Sequence, residues 1–206
     1  MTSEHYFSEV PGSDFNAREL NVTLAGKPVS VVTAGGIFSP ERVDPGTSVL
    51  LEHLTEAPPS GDLLDVGCGW GPISLSLAIQ SPHATVWAID VNGRSLELTR
   101  RNAERLGLNN VKVCRPDEVP ANLKFQGIWS NPPIRVGKAE LHSILETWLP
   151  RLDRQGVSYL VVQKNLGADS LHRWLEAQFP ELSTIRVDTA KQYRVLRVKR
   201  VTTQSS

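Results

Sequence analysis

The sequence predicts an α/β fold: a doubly wound, mostly parallel seven-stranded sheet with an antiparallel C-terminal strand and a short N-terminal β-hairpin and helix extension. Three observations predict it. From Gly61 onward, short apolar runs alternate with longer segments of helical character, as βα units on a parallel sheet require. The first run passes into a helix through glycines at alternate positions, Gly67, Gly69 and Gly71. The last two runs, 184–187 and 193–198, have no helical segment between them and so form an antiparallel edge.

The elements follow in order. Residues 1–19 are polar and read as an irregular arm. Runs 20–24 and 29–32 flank Ala25-Gly26-Lys27, a hairpin signal. Gly35-Gly36 opens a loop reaching Pro45-Gly46. Thr47 is placed to cap a helix with apolar positions Val49, Leu50, Leu51 and Leu54, which Pro58-Pro59 stops.

Strand 62–66 precedes helix 72–80, where Pro72 sits in the first turn and its missing N–H costs nothing. Strand 84–89 leads to helix 95–106, ended by Gly107. Strands 111–113 and 128–129 come next, then helix 139–149, strand 157–162 and helix 169–179. The chain divides into 1–57 (arm, hairpin and helix packed on the core), 58–201 (the ligand-binding α/β domain) and 202–206, a loose tail.

Composition excludes several classes. The 206 residues, 40% hydrophobic and 21% charged, suit one globular domain with a real core. Net charge is zero, so no overall basic excess marks a nucleic-acid binder. Bases do gather near the end: Arg186, Lys191, Arg194, Arg197, Lys199 and Arg200 face one acid, Asp188, a pattern of a solvated strand face or of an RNA contact. Cys68 and Cys114 form no CxxC, and the five histidines are scattered, which argues against a disulfide framework or a metal site. Both cysteines read as small buried residues. The N-terminus carries Glu4, Glu9 and Asp14 without an apolar run, and no stretch approaches the ~20 apolar residues of a membrane span. The expectation is a cytoplasmic protein.

Ligands of open α/β sheets bind beyond the carboxyl ends of the strands, where Asp65-Val66-Gly67-Cys68-Gly69-Trp70-Gly71-Pro72 falls. Its glycines admit a ligand close to the backbone, and amides of the helix start point at it. No Gly-Lys-Ser/Thr follows, so this is not a triphosphate loop, and Pro72 stands where a dinucleotide fingerprint needs its third glycine. Asp90, with Val91 beside it, ends the second strand and suits two ribose hydroxyls; the alternative is a surface aspartate capping the next helix. Asp117 suits an adenine amino group, or belongs to an ordinary polar loop. Together they describe an adenosine-type ligand without phosphates, for which S-adenosyl-L-methionine is the candidate.

Asn131-Pro132-Pro133-Ile134 follows an apolar strand-like run. The Asn131 side-chain carbonyl and the Pro132 backbone carbonyl are two acceptors on a stiff turn, suited to holding both hydrogens of a planar NH2 group. Asn-Pro is also a common turn starter. Pro133 and Ile134 offer apolar contact to a base, Arg135 and Lys138 offer charge to phosphates, and Gln163 and Lys164 end the fifth strand at the same edge. Trp129 reads as core.

In this order and spacing the glycine loop, Asp90 and Asn131-Pro132-Pro133-Ile134 resemble class I S-adenosylmethionine-dependent methyltransferases. The closer likeness is to the small-domain group that includes the guanine-N2 methyltransferases of small-subunit (16S) ribosomal RNA. Gly36-Ile37-Phe38-Ser39, Val43-Asp44-Pro45-Gly46-Thr47, Arg135-Val136-Gly137-Lys138 and Val162-Gln163-Lys164 extend it, from His5 to about Arg200. The resemblance implies a Rossmann-like methyltransferase domain over 58–201 and transfer of a methyl group from S-adenosyl-L-methionine to an exocyclic amine of an RNA base. It implies ribosomal RNA or the small ribosomal subunit as partner, and places the loop from Phe38 to Thr47 over the cofactor. Some members carry a second, duplicated domain for which 206 residues leave no room, and many amine methyltransferases have an aromatic residue where Ile134 stands. A protein glutamine amide would fit the same acceptor pair, and a non-catalytic ribosome assembly factor is a further alternative.

Overall fold

A computed structural model describes residues 16–133, 137–190 and 192–201. In the hairpin β1 (Arg18–Leu24) and β2 (Lys27–Thr33), Ala25 and Gly26 take φ of 47° and 75°, a tight two-residue turn whose twist matches its strands.

The first helix corrects two expectations. Thr47 is not its cap: α1 (Pro45–Leu51) begins earlier, at Asp44, whose Oδ2 accepts from Gly46 N at 2.8 Å and Thr47 N at 3.2 Å. The proline ring presets φ for the first helical position, so Asp-Pro outcompetes the later threonine. Leu54 is not in this helix either, but in a separate 3-10 turn, Leu54–Glu56.

The main sheet contains β3 (Ser60–Val66), β4 (His83–Ile89), β5 (Val111–Cys114), β6 (Phe125–Ser130), β7 (Leu152–Gln163), β8 (Leu182–Ala190) and β9 (Tyr193–Arg200). Their order is β5-β4-β3-β6-β7-β9-β8; β9 runs antiparallel to β7 and β8, and every other adjacent pair is parallel. The helices between them are α2 (Pro72–Gln80), α3 (Gly93–Arg105), α4 (Lys138–Trp148) and α5 (Ala168–Gln178). Gly107 ends α3 as expected, at φ 66°, with Leu108 N bonded to Ala103 O and Gly107 N to Glu104 O.

Both faces of the sheet are covered, as parallel strands need. On one face, Leu141, Leu145 and Trp148 of α4 and Leu171 and Leu175 of α5 pack on Leu64, Ile128, Leu160 and Leu196. On the other, Val49 and Leu50 of α1 and Ile73 and Leu77 of α2 cover Leu63, Val86, Val161 and Val195. Trp129 lies in this second core, fully buried, its ring stacked 5.3 Å from that of Tyr159. The hairpin packs outside the α2–α3 layer, through Leu24 and Val31 against Trp70, Leu75 and Leu98.

Two further expectations need correction. The basic C-terminal cluster is not uniformly solvated: Arg194 is buried on β9 and paired with Asp169 of α5, because its even-numbered neighbours Leu196 and Val198 face the core. Lys191 lies outside the described residues. Cys114 is not fully buried; β5 is an edge strand and leaves it half-covered, whereas Cys68 is inside. Among the described residues no helix is long and apolar enough to cross a membrane.

Candidate active site

Chain order reverses between β3 and β6: the chain leaves β3 toward β4 and β5 on one side, and β6 toward β7 on the other. A crevice opens at the carboxyl ends of strands at such a reversal. Ser130 Oγ donates to Val66 O at 2.8 Å, tying the two strand ends together. The glycine loop therefore lies beside Asn131.

Gly67, Gly69 and Gly71 take φ of 82°, 59° and 97°, the left-handed region that glycine enters without strain. A Cβ on Gly67 or Gly69 would project into open space, whereas one on Gly71 would meet Leu75 and Thr99 at 3.2 Å. The first two glycines thus keep room for a ligand and the third keeps room for helix packing. Gly71 starts α2 with Pro72 in the first turn and no side-chain cap of its own.

Asp65 supplies that cap from β3. Its Oδ2 accepts from Ser74 N at 2.9 Å and from Ser74 Oγ, while Oδ1 is buried without a protein partner. Burial raises this carboxyl to about 7 against its ordinary 3.8; the Ser74 bonds oppose the rise and the Asp90 charge adds to it. Burial likewise pushes the Cys68 thiol well up, reinforced by Asp90 and Asp65, so it is no nucleophile.

Asp90 ends β4 and reaches back into the loop. Its Oδ2 accepts from Gly69 N at 3.0 Å and its Oδ1 from Asn92 N at 2.9 Å. Burial raises its carboxyl too, opposed by these backbone bonds. It does not cap α3; Asn92 does, accepting from Arg94 N at 2.9 Å and Ser95 N at 3.4 Å. Asn92 Nδ2 also donates to Gly36 O at 3.0 Å, and Trp70 Nε1 donates to Ser39 O at 3.2 Å. The loop from Gly36 to Asp44 is thereby tied to the glycine loop and to the start of α3.

Of the residues singled out in the sequence, Phe38, Thr47, Gly67, Cys68, Gly69 and Asn131 line one cleft, together with Asp44. Phe38 exposes 46% of its surface there. Asn131 Nδ2 donates to Asp44 Oδ2 at 2.9 Å and to Thr47 Oγ1 at 3.0 Å. Pro132 is buried behind it and Pro133 half-buried. Val91 is 41% exposed at the end of β4.

The structure does not bring Asp117 into the cleft. It sits on the 3-10 turn Pro116–Glu118 with 81% of its side chain exposed, 3.7 Å from Arg115 Nε. Arg115 Nη1 also donates to Val91 O at 3.4 Å, so this turn borders the β4 end. Gln163 ends β7 opposite Tyr193, whose ring packs so closely on Gly46 that a Cβ there would lie 2.8 Å away. Lys164 and Lys138 are exposed at the starts of a 3-10 turn and of α4. Ile134 and Arg135 lie outside the described residues. Among the described residues no cluster of His, Cys, Asp and Glu could hold a metal ion.

Sequence reasoning missed Asp44 as a site residue. Its signal was the Asp-Pro pair opening α1, overlooked in favour of Thr47.

Comparison with known proteins gives the family and the fold. The family described as "Methyltransferase small domain" matches residues 28–197. The chain is 39% identical over 202 residues to "Uncharacterized protein YbxB" of Bacillus subtilis (strain 168), covering 97% of this chain and 100% of that one. It is 34% identical over 141 residues to "Ribosomal RNA small subunit methyltransferase C" of Stutzerimonas stutzeri (strain A1501), covering 68% of this chain and 42% of that one. The chain thus spans less than half the length of that relative. The solved structure of the T. thermophilus 16S rRNA N2 methyltransferase RsmC, in complex with AdoMet and guanosine, superposes with a TM-score of 0.77 at 25% identity. The match covers 93% of this chain and 52% of that one.

Proposed function

The chain belongs to the methyltransferase small domain family, and on that premise we propose that it methylates the exocyclic amino group of an RNA base, guanine N2 of small-subunit (16S) ribosomal RNA. The observation that carries this reading is the orientation of Asn131. Its Nδ2 is committed to Asp44 and Thr47, which leaves Oδ1 as the end free to accept.

The family's cofactor is S-adenosyl-L-methionine, which when bound supplies an electrophilic methyl group on a sulfonium. The residues present fit it. Gly67 and Gly69 leave open space where side chains would stand, the buried Asp65 Oδ1 lacks a protein partner, and the Asp90 carboxylate stands beside that space on the Gly69 and Asn92 amides. We assign Gly67, Cys68, Gly69 and Gly71 to the backbone cradle with Asp65 beneath it, Asp90 to the ribose, Val91 and Phe38 to apolar contact, and Thr47, in the first turn of α1, to the wall of the site. Asp117 enters only if its exposed turn closes toward the β4 end.

The amine of guanine is a poor nucleophile because its lone pair is delocalised into the ring. Asn131 Oδ1 and the Pro132 carbonyl accept its two hydrogens, favour a pyramidal nitrogen and aim the lone pair at the methyl. Catalysis is then positioning and electrostatics, and no strong base acts before transfer, since nitrogen sheds its proton readily once alkylated. Pro133, Ile134, Arg135, Lys138, Gln163 and Lys164 are assigned to substrate contact. A paired base hides this amine, so the target is single-stranded or flipped out.

The test offers labelled cofactor with purified 16S RNA, small ribosomal subunits and a ribosome-free protein extract. Label is expected in RNA, free or within the subunit. Label confined to protein would overturn the RNA reading.

A further inference from the structure

We propose that Asp44 is a positioning residue for methyl transfer: one carboxylate oxygen both starts α1 and fixes which end of the Asn131 amide faces the substrate. The inference rests on the role given to Asn131 above.

Three donors converge on Asp44 Oδ2: Gly46 N at 2.8 Å, Thr47 N at 3.2 Å and Asn131 Nδ2 at 2.9 Å. An ionised carboxylate only accepts, so it discriminates between the two ends of an amide that are otherwise nearly equal in shape. Flipping Asn131 would bring its Oδ1 against Asp44 Oδ2, acceptor against acceptor. Thr47 Oγ1 takes the second Nδ2 hydrogen at 3.0 Å, so both hydrogens have partners. The chemistry needs this choice. A flipped amide would present NH2 to the substrate's NH2, donor to donor, and could neither hold nor polarise it.

Asp44 is itself held firmly. Its backbone carbonyl accepts from Ser48 N at 2.8 Å and Ser48 Oγ at 3.1 Å. The loop leading to it is anchored where Trp70 Nε1 donates to Ser39 O. The orientation of Asn131 is thus tied to the loop from Ser39 to Asp44, whose two ends line the glycine cleft.

Asp44→Ser separates the two roles, because serine still caps a helix but is too short to reach Asn131. It is expected to lower kcat on small-subunit RNA by about 10- to 100-fold, with thermal midpoint and cofactor affinity near those of the wild type. Asp44→Asn can place an oxygen at the same point and should restore most of the rate. In an Asn131→Ala background, Asp44→Ser should add almost nothing, since residues acting as one unit are not additive. Turnover-independent evidence comes from the Asn131 Nδ2 protons in 15N NMR, slowed in exchange in the wild type and in Asp44→Asn but fast in Asp44→Ser. Wild-type turnover in Asp44→Ser, or a full additional loss on top of Asn131→Ala, would overturn the proposal. If the wild type leaves RNA unmethylated, the proposed reaction fails, and the NMR arm still decides whether Asp44 orients the amide: unchanged exchange in Asp44→Ser refutes it.

Discussion

Asn102 pairs with Val32 through both ends of its side-chain amide: Oδ1 accepts from Val32 N at 2.6 Å and Nδ2 donates to Val32 O at 2.9 Å. Nδ2 also donates to Trp70 O at 2.9 Å. A fully buried side chain of α3 therefore stands where a third strand of the hairpin would, and joins that hairpin to the glycine loop. Asn102→Ala should cost about 3 kcal/mol in chemical denaturation, because two part-buried backbone groups of Val32 and the buried carbonyl of Trp70 lose their partner. Faster hydrogen exchange at Val32 is expected alongside. A loss near zero would mean that water replaces the amide.

The glycines of the proposed cofactor loop should separate folding from binding. Gly71→Ala forces a left-handed alanine against Leu75 and Thr99 and should cost about 2 kcal/mol or more in stability. Gly69→Ala meets nothing within 4 Å and should cost only about 1 kcal/mol. Its methyl group would nevertheless occupy the open cleft, so calorimetric titration should show cofactor affinity falling on the order of tenfold or more. Equal behaviour of the two variants would argue against the cradle.

Asp65 gives the ligand-free protein a pH signature. Burial raises its carboxyl from 3.8 to about 7, so the folded state keeps a proton that the unfolded chain releases. The stabilisation that this proton binding brings is fully present below 3.8 and is lost as pH rises toward 7. Asp65→Asn can still accept from Ser74 but does not titrate. Its stability relative to the wild type should rise from about pH 4 to about pH 7 and then level off, read from denaturant midpoints across that range. Parallel pH profiles would contradict it.

Much of this was legible in the chain itself, for identifiable reasons. Alternating βα patterning and the hairpin-like end specify the doubly wound sheet, since apolar runs, caps and helix-ending glycines such as Gly107 are local signals. The Asn131 motif and the glycine loop stand sixty-odd residues apart in sequence, yet the sheet order makes β3 and β6 neighbours, as the topological rule requires. What escaped was long-range polar pairing. Asn102 reads as one more polar residue on an amphipathic helix, and Asp44 as a loop acid, because nothing local marks a partner 70 or 87 residues away. Asp117 differs: it follows β5 as the sequence predicts, and the 3-10 turn leaves its carboxylate exposed beside Arg115 rather than in the cleft.

Mass spectrometry of nucleosides digested from 16S RNA or small subunits treated with the protein and cofactor reads most directly which atom receives the methyl group. With wild-type protein the expected product is N2-methylguanosine. With Asn131→Ala it should fall about a hundredfold while cofactor affinity holds, because one of the two acceptors of the reacting amine is removed. A methylated adenosine, or methylglutamine in the protein fraction with unmodified RNA, would contradict the account.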